Sequence, residues 1–339
     1  MKLPAVIFET TSACNLDCRY CYNIWKRPGH AKAARSSYAQ MIKTLRRLFS
    51  VAEVERIAMS GGEPFLSERF AEVVLFCRMQ GKQVTIITNG NAATHDDLTQ
   101  LNAFGIHGFE LPFHSPTPDA HDQQTGTAGS WHKARASIEH LLSIGAPVAG
   151  VIVLTRVNAA LVSETLIALH GLGVRHVLLN RFNVGGRGIA EAHWLAPDLA
   201  TIQQAFRQAD VAAGELCLKV SSGVCTPRCL VDPAQHRNIA FAFCDPDLER
   251  RPITIDAAGD LRYCNHSPVA MANVFSDDLE HAFASSTYIE QWQRGVPRPC
   301  RSCDIYQKCF GGCRAAAEQL GLGLLHGDPL LEKIEQPPG

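Results

Sequence analysis

The sequence has almost no net charge: 32 lysines and arginines stand against 33 aspartates and glutamates in 339 residues. Without a basic excess or a long run of like charge, nucleic acid is not an expected partner. Long hydrophobic runs are missing too. The best, Val148 to Leu154, breaks within a few residues and falls far short of a membrane span. The N-terminus passes from Val6-Ile7-Phe8 straight into Glu9-Thr10-Thr11-Ser12. It lacks the apolar stretch and cleavage site of a signal peptide, so a soluble, cytoplasmic protein is expected. There is no low-complexity segment, and the fourteen histidines form no HxxxH or similar ligand pair.

What the chain does have is cysteine, thirteen in all. In a small secreted protein they would read as disulfides, but this chain is large, has no export signal and carries an odd count. Clustered cysteines in a reducing compartment point to metal instead, and spacing must say which. An apolar share of 46% and a charged share of 19% suit a well-packed globular protein, and the length suits one large domain plus a smaller one.

Through the first half, short β-rich runs alternate with amphipathic stretches. Strands are predicted at Ala5–Thr10, Arg56–Ser60, Gln83–Thr88, His107–Phe113, Pro147–Thr155 and Val174–Arg181. Met41, Ile42, Leu45, Leu48 and Phe49 share one helical face, and further helices are predicted at Ser67–Gln80, Asp96–Phe104, Trp131–Ile144 and Ala160–Gly171. Gly105, Gly145 and Gly173 stand where helices should stop. Six strand–helix units mean a parallel sheet with right-handed crossovers, two units short of a closed TIM barrel. The expected fold is α/β, a partial (β/α)6 TIM-like barrel over residues 1–210. From about Ser221 the pattern is broken by Pro, Gly and Cys, with strand-like pieces at Pro252–Asp256 and Leu261–Tyr263. Nine of the thirteen cysteines lie after residue 210. So much loop with so little regular structure usually needs metal to hold it together, so a small cysteine-rich domain is expected at 221–325, with a tail at 326–339.

Cys14-Asn-Leu-Asp-Cys18-Arg-Tyr-Cys21 follows directly on the first strand, at its carboxyl end, where barrel active sites form. Three thiolates at this spacing can hold three irons of a cubane and leave the fourth open to a substrate or cofactor. A structural zinc site with a distant fourth ligand is the alternative, but the three-residue gap fits it poorly. Cys-x3-Cys-x2-Cys after strand one, with Tyr20 before the last cysteine, resembles the signature of radical S-adenosylmethionine (SAM) enzymes. Ser60-Gly61-Gly62-Glu63-Pro64, directly after the second strand, resembles that family's GGE motif. Two glycines allow close backbone approach, and a carboxylate can accept bonds from an ammonium.

The resemblance implies a 4Fe–4S cluster on Cys14, Cys18 and Cys21 that chelates SAM, with Gly61, Gly62, Glu63 and Pro64 orienting its methionyl amine and Tyr20 near the adenine. Reductive cleavage would release a 5′-deoxyadenosyl radical, with the electron coming from a donor such as flavodoxin or ferredoxin. Thr88-Asn89-Gly90 after strand three, Ser115, Asn158 and Leu179-Asn180 stand where that family places further SAM contacts.

The later cysteines follow a second pattern: Cys244, fourteen residues, Gly259, four residues, Cys264, and then Cys300-x2-Cys303-x5-Cys309-x3-Cys313. This resembles the SPASM extension, which holds two auxiliary 4Fe–4S clusters. On that resemblance Cys244, Cys264 and Cys313 serve cluster I, with Cys225 or Cys229 as its fourth ligand, and Cys300, Cys303 and Cys309 serve cluster II. The seventh cysteine that the family carries after Cys313 is absent. His326, Asp328 and Glu332 are the candidates to replace it; a single-cluster, twitch-like domain is the other outcome, and structural zinc an alternative to both. Cys77 reads as a buried, inert thiol, and Cys217, in an apolar strand-like run, as core. Cys217, or whichever of Cys225 and Cys229 is not a ligand, is a minor candidate for a hydrogen donor. His114, His121 and Asp122 lie in the loop after strand four, and Gly185-Gly186-Arg187-Gly188 reads as an anion cradle or a flexible exit from the barrel.

SPASM-type enzymes act mostly on peptides or protein side chains, and some on small molecules such as aminoglycosides. Oxidative crosslinking or dehydrogenation of a peptide is the expected reaction, with dehydrogenation or epimerisation of a small-molecule natural product as the alternative. The first cluster begins at residue 14, so a separate leader-peptide-binding protein is an expected partner. A non-catalytic iron–sulfur carrier or zinc-held module is the reading from another class.

Overall fold

The computed structural model describes residues 1–27 and 36–332; the last seven residues of the expected tail lie outside them. The six predicted strands form as β1 (Ala5–Glu9), β2 (Arg56–Ser60), β3 (Gln83–Ile87), β4 (Gly108–Pro112), β5 (Val148–Leu154) and β6 (His176–Arg181). Each pairs in parallel with the next. Along β2 to β6 every second residue is buried and its neighbours (Ala58, Thr85, Glu110, Val151, Asn180) are only partly covered. That is the signature of a sheet with helices on one face and an open concave face on the other.

Five more strands extend this sheet, which has eleven in all. β7 (Lys219–Ser222) and β8 (Ile239–Phe241) continue it in parallel beyond β6. On the other edge β9 (Ile253–Asp256) lies parallel to β1, followed by antiparallel β10 (Asp260–Arg262) and β11 (Ala270–Asn273). The segment 221–325 therefore adds strands to both edges of the barrel sheet. β9 and β10 match strand-like pieces read from the sequence. The apolar strand-like run read around Cys217 leads into β7, whereas β8 and β11, of three and four residues, were not expected.

The helices are α1 (Tyr38–Val51), α2 (Phe70–Met79), α3 (His95–Ala103), α4 (Pro118–Thr125), α5 (Ser130–Ser143), α6 (Val162–Leu172), α7 (Gly188–Leu195) and α8 (Leu199–Glu215), with shorter ones after residue 278. α1 starts where the Ser37 hydroxyl accepts from the Gln40 N–H, and it buries Met41, Ile42, Leu45 and Leu48 against the sheet. α2 buries Phe70, Val73, Val74 and Cys77, so Cys77 is a core thiol as expected. α8 escaped sequence reading because its buried stripe is largely alanine: Ala205, Ala209, Ala212 and Ala213 beside Ile202 and Phe206. The N-terminal helix also clasps the far edge of the sheet. The Thr44 hydroxyl donates to Ala257 O (2.7 Å) and Arg47 to Val274 O (2.8 Å), and Glu9 at the end of β1 forms a buried ion pair with Arg262 of β10. Among the described residues no helix is long and apolar enough to cross a membrane.

Candidate active site

In a parallel barrel the loops at the carboxyl ends of the strands share one rim, and four of them meet here. The loop after β1 carries Cys14, Cys18 and Cys21. The loop after β2 lies directly on it: Gly62 N donates to Thr11 O (2.7 Å) and Glu63 N to Ala13 O (2.8 Å). A β-carbon at Gly62 would collide with the Ala13 carbonyl, and Gly61 sits at φ +129° beside Thr11. The two glycines are thus required by contact with the cysteine loop itself. Glu63 is fully buried, and its carboxylate accepts from Phe65 N (3.2 Å), the Thr88 hydroxyl (2.7 Å) and Asn89 N (2.8 Å). Burial raises its pKa to about 7, with those three bonds pulling the other way. Pro64 is buried in the turn that follows. Asn89 closes the circuit after β3: its amide donates to Asn15 Oδ1 (2.8 Å) and points at Cys14 Sγ (3.8 Å).

The three thiols lie within electrostatic reach of one another. Burial and the charges of Cys21 and Cys14 push Cys18 far up, and burial lifts Cys21 to about 11. The Tyr20 hydroxyl donates to Cys18. Tyr20 Oη also lies 2.7 Å from His114 Nε2, and His114 Nδ1 accepts from Val153 N (3.2 Å). With Nδ1 accepting, Nε2 carries the ring hydrogen, so a neutral imidazole donates to the tyrosine, which donates to the thiol. His114 is fully buried, and burial and the His121 ring hold it well below the usual histidine range.

The remaining predicted residues are spread around this centre. Ser115 is buried, its hydroxyl accepting from Thr117 N (3.1 Å). Asn158 is buried, accepting from Thr155 N (2.8 Å) and donating to His114 O (2.7 Å) and Val153 O (3.0 Å). Leu179 is in the core of β6, while the neighbouring Asn180 accepts from Gly223 N and Val224 N, ahead of Cys225. Asp122 anchors the start of α5 through Gly129, Ser130 and Trp131. The Gly185–Gly188 stretch is neither cradle nor flexible exit: Gly188 N donates to Cys21 O (3.2 Å), Arg187 pairs with Asp17, and Gly186 N donates to Gln319 Oε1 (2.7 Å). It is a fastening for the cysteine loop. Cys217 is exposed at φ +51° rather than in the core, in the turn between α8 and β7. It therefore lies at the amino end of its strand, across the sheet from Cys14.

The other cysteines divide into two groups. The Cys225 thiol donates to Cys244, and this bond, with Arg251 and Arg314 near, holds Cys244 down to about 7 despite burial. Cys313 and Cys264 are the next charges that Cys225 feels. Asn183 Nδ2 donates to Cys313 Sγ (3.0 Å) and His266 N to Cys264 Sγ (3.4 Å). The second group is Cys229, Cys300, Cys303 and Cys309, around a small cavity. Asn265, next to Cys264, donates to the Tyr22 hydroxyl (2.7 Å), next to Cys21, so the first cysteine loop touches the first of these groups. Among the described residues no three His, Cys, Asp or Glu side chains converge as a single ion would need. A cubane instead takes each ligand on a different iron. Sequence reading missed the Tyr20–His114 link, and no spacing rule could have shown it.

Residues 8–166 match the radical SAM superfamily. Over nearly its whole length the chain is similar to the PqqA peptide cyclase of Gluconobacter oxydans, 24% identical over 341 residues that cover 97% of this chain and 92% of the relative. It is also similar to the mycofactocin maturase MftC of Mycobacterium tuberculosis, 28% identical over 334 residues, 95% of this chain and 81% of the relative. Among solved structures, Streptococcus suis SuiB bound to its precursor peptide SuiA shares the fold with TM-score 0.74 at 13% identity, covering 97% of this chain and 76% of SuiB. Native anSMEcpe with bound AdoMet shares it with TM-score 0.71 at 12% identity, over 97% of this chain and 95% of that one.

Proposed function

We propose that this chain, whose residues 8–166 match the radical SAM superfamily, binds a 4Fe–4S cluster on Cys14, Cys18 and Cys21 and uses SAM to modify a peptide oxidatively. The observation that carries this reading is the gathering of three half-buried thiols on the strand-end rim, braced by the Glu63–Asn89 circuit. Burial holds these thiols protonated on their own, with the charge of neighbouring cysteines adding to it at Cys18 and Cys21, and a cationic cluster would relieve both effects. When bound, the cluster supplies the electron that splits SAM into methionine and a 5′-deoxyadenosyl radical. The chain's own part is to hold the site in shape. Gly61 and Gly62 let the second loop seat on the cysteine loop, Asn89 braces Cys14, and Tyr20, fixed by neutral His114, directs a hydrogen toward Cys18. Such bonds to ligand sulfur tune a cluster's potential.

A peptide substrate is supported by the relatives, whose names are those of a peptide cyclase and a maturase. Oxidation is favoured over epimerisation because no thiol is left at the rim as a hydrogen donor: Cys225 and Cys229 belong to cysteine groups and Cys217 is at the opposite end. Auxiliary clusters on the later cysteines would take up the electron that a two-electron oxidation releases, and a flavodoxin or ferredoxin would supply the first. The test is anaerobic reconstitution followed by dithionite and SAM. The iron-replete protein should yield 5′-deoxyadenosine, and the Cys14→Ala/Cys18→Ala/Cys21→Ala variant none. Absence of 5′-deoxyadenosine from reduced, iron-replete protein refutes the reading.

A further inference from the structure

We infer that Cys229 is the fourth ligand of a second auxiliary 4Fe–4S cluster, in place of the cysteine that the chain lacks after Cys313. Cys225 and Cys229, four residues apart, would then give one thiolate to each of two clusters. The inference rests on the iron–sulfur reading above and deepens it.

Spacing alone leaves Cys300, Cys303 and Cys309 one ligand short, and the fold supplies it from about 70 residues upstream rather than from the tail. The thiols of Cys229, Cys300, Cys303 and Cys309 line one small cavity, with Tyr306 and Leu331 closing it. The turn that carries Cys229 is held in place. Leu230 N and Val231 N both donate to Pro227 O (3.0 and 3.1 Å), Gln203 Nε2 donates to Leu230 O (2.7 Å), and Arg228 N reaches Cys309 Sγ (3.4 Å). Leu230 packs with Cys300, Tyr306 and Leu331 in an apolar cluster of its own. Four thiols around one cavity match the four irons of a cubane, whereas a single ion would draw them to a point.

The three replacements suggested by the sequence are absent from that lining. Asp328 is 1% exposed, and its oxygens hold Arg181, Cys313 N (2.8 Å) and Leu330 N (2.9 Å). Drawing it onto iron would strand a buried guanidinium. His326 Nε2 pairs with Glu332 at 3.1 Å. Cys225 is likewise absent from that lining and lies instead with Cys244 in the other cysteine group.

Cys217 provides an internal control, since it and Cys229 are both exposed. The first experiment treats iron-replete wild-type protein anaerobically with iodoacetamide and maps the modified cysteines by mass spectrometry. Cys229 should resist while Cys217 reacts, and stripping the iron with a chelator should open Cys229. Alkylation of Cys229 at the rate of Cys217 in iron-replete protein overturns the proposal. The second places Cys229→Ala in the Cys14→Ala/Cys18→Ala/Cys21→Ala background and measures iron and the Mössbauer spectrum. Loss of about four irons per chain, or a changed signal from one cluster, is expected; iron and spectrum identical to the parent overturn it. Cys229 failing both tests in a protein that still makes 5′-deoxyadenosine refutes this assignment and leaves the proposed activity standing.

Discussion

Gln319 is the side chain whose loss should be felt furthest. It is 2% exposed, its Nε2 donates to Tyr22 O (2.9 Å) and His266 O (2.7 Å), and its Oε1 accepts from Gly186 N (2.7 Å). One amide thereby joins the end of the first cysteine loop, the exit from β6 and the loop after Cys264. Gln319→Leu keeps the volume but leaves one buried N–H and two carbonyls without that partner. At about 1 kcal/mol for each net bond, and up to about 3 for a group stranded without water, the loss should be about 3–5 kcal/mol. That is a large share of a typical stability of about 5–15 kcal/mol. Urea denaturation of the iron-free protein under argon measures it directly, with the exposed Gln100→Leu of α3 expected within about 0.5 kcal/mol of wild type. If Gln319→Leu is equally silent, the amide is not the fastening described.

Two further predictions concern the rim and the helices. Because burial lifts Glu63 to about 7 from an unfolded value of 4.5, its contribution is full below the unfolded value and is lost as pH rises through about 7. Between about pH 5 and about pH 8 the iron-free wild type should lose up to about 3 kcal/mol more than Glu63→Gln; parallel stability curves would contradict the assignment. A β-carbon at Gly171 in α6 would meet no neighbour within 4 Å, so Gly171→Ala should stabilise by about 0.5–1 kcal/mol. Gly62→Ala should instead destabilise by more than about 2 kcal/mol through its clash with Ala13, and thermal melts of the pair would show opposite shifts.

How much was legible depended on length and contrast. The six barrel strands were readable because each is at least five residues long and carries apolar side chains at alternate positions, such as Ile57 and Met59, Val84 and Ile86, or Phe109 and Leu111. α8 was not, since alanine carries too little hydrophobic contrast to mark a face. The cysteine loop and its neighbour Gly61–Glu63 were found as strings, yet the reason for the glycines, contact with Thr11 and Ala13, exists only in three dimensions. The same holds for Cys229. Its nearest thiol in sequence is Cys225, but the turn at Pro227 sends the two to different groups. The tail residues His326, Asp328 and Glu332 were candidates because the family that the cysteine pattern resembles carries its last cysteine after the position of Cys313.

The pairing of β1 with β9 bears on how the protein is made. Val6 lies opposite Ile253, and Asn265 reaches Tyr22. At translation rates of about 5–20 residues per second, the first strand waits roughly ten to fifty seconds for its second neighbour. Until then its edge is an open row of hydrogen-bonding groups, a site for mispairing with another chain. Loading of the proposed cluster on the loop beside it must await synthesis of these later residues if it is to meet the finished pocket. A chain whose first strand is closed by a strand about 250 residues later will fold slowly, and a chain cut before residue 253 should be recovered as aggregate rather than as an isolated barrel.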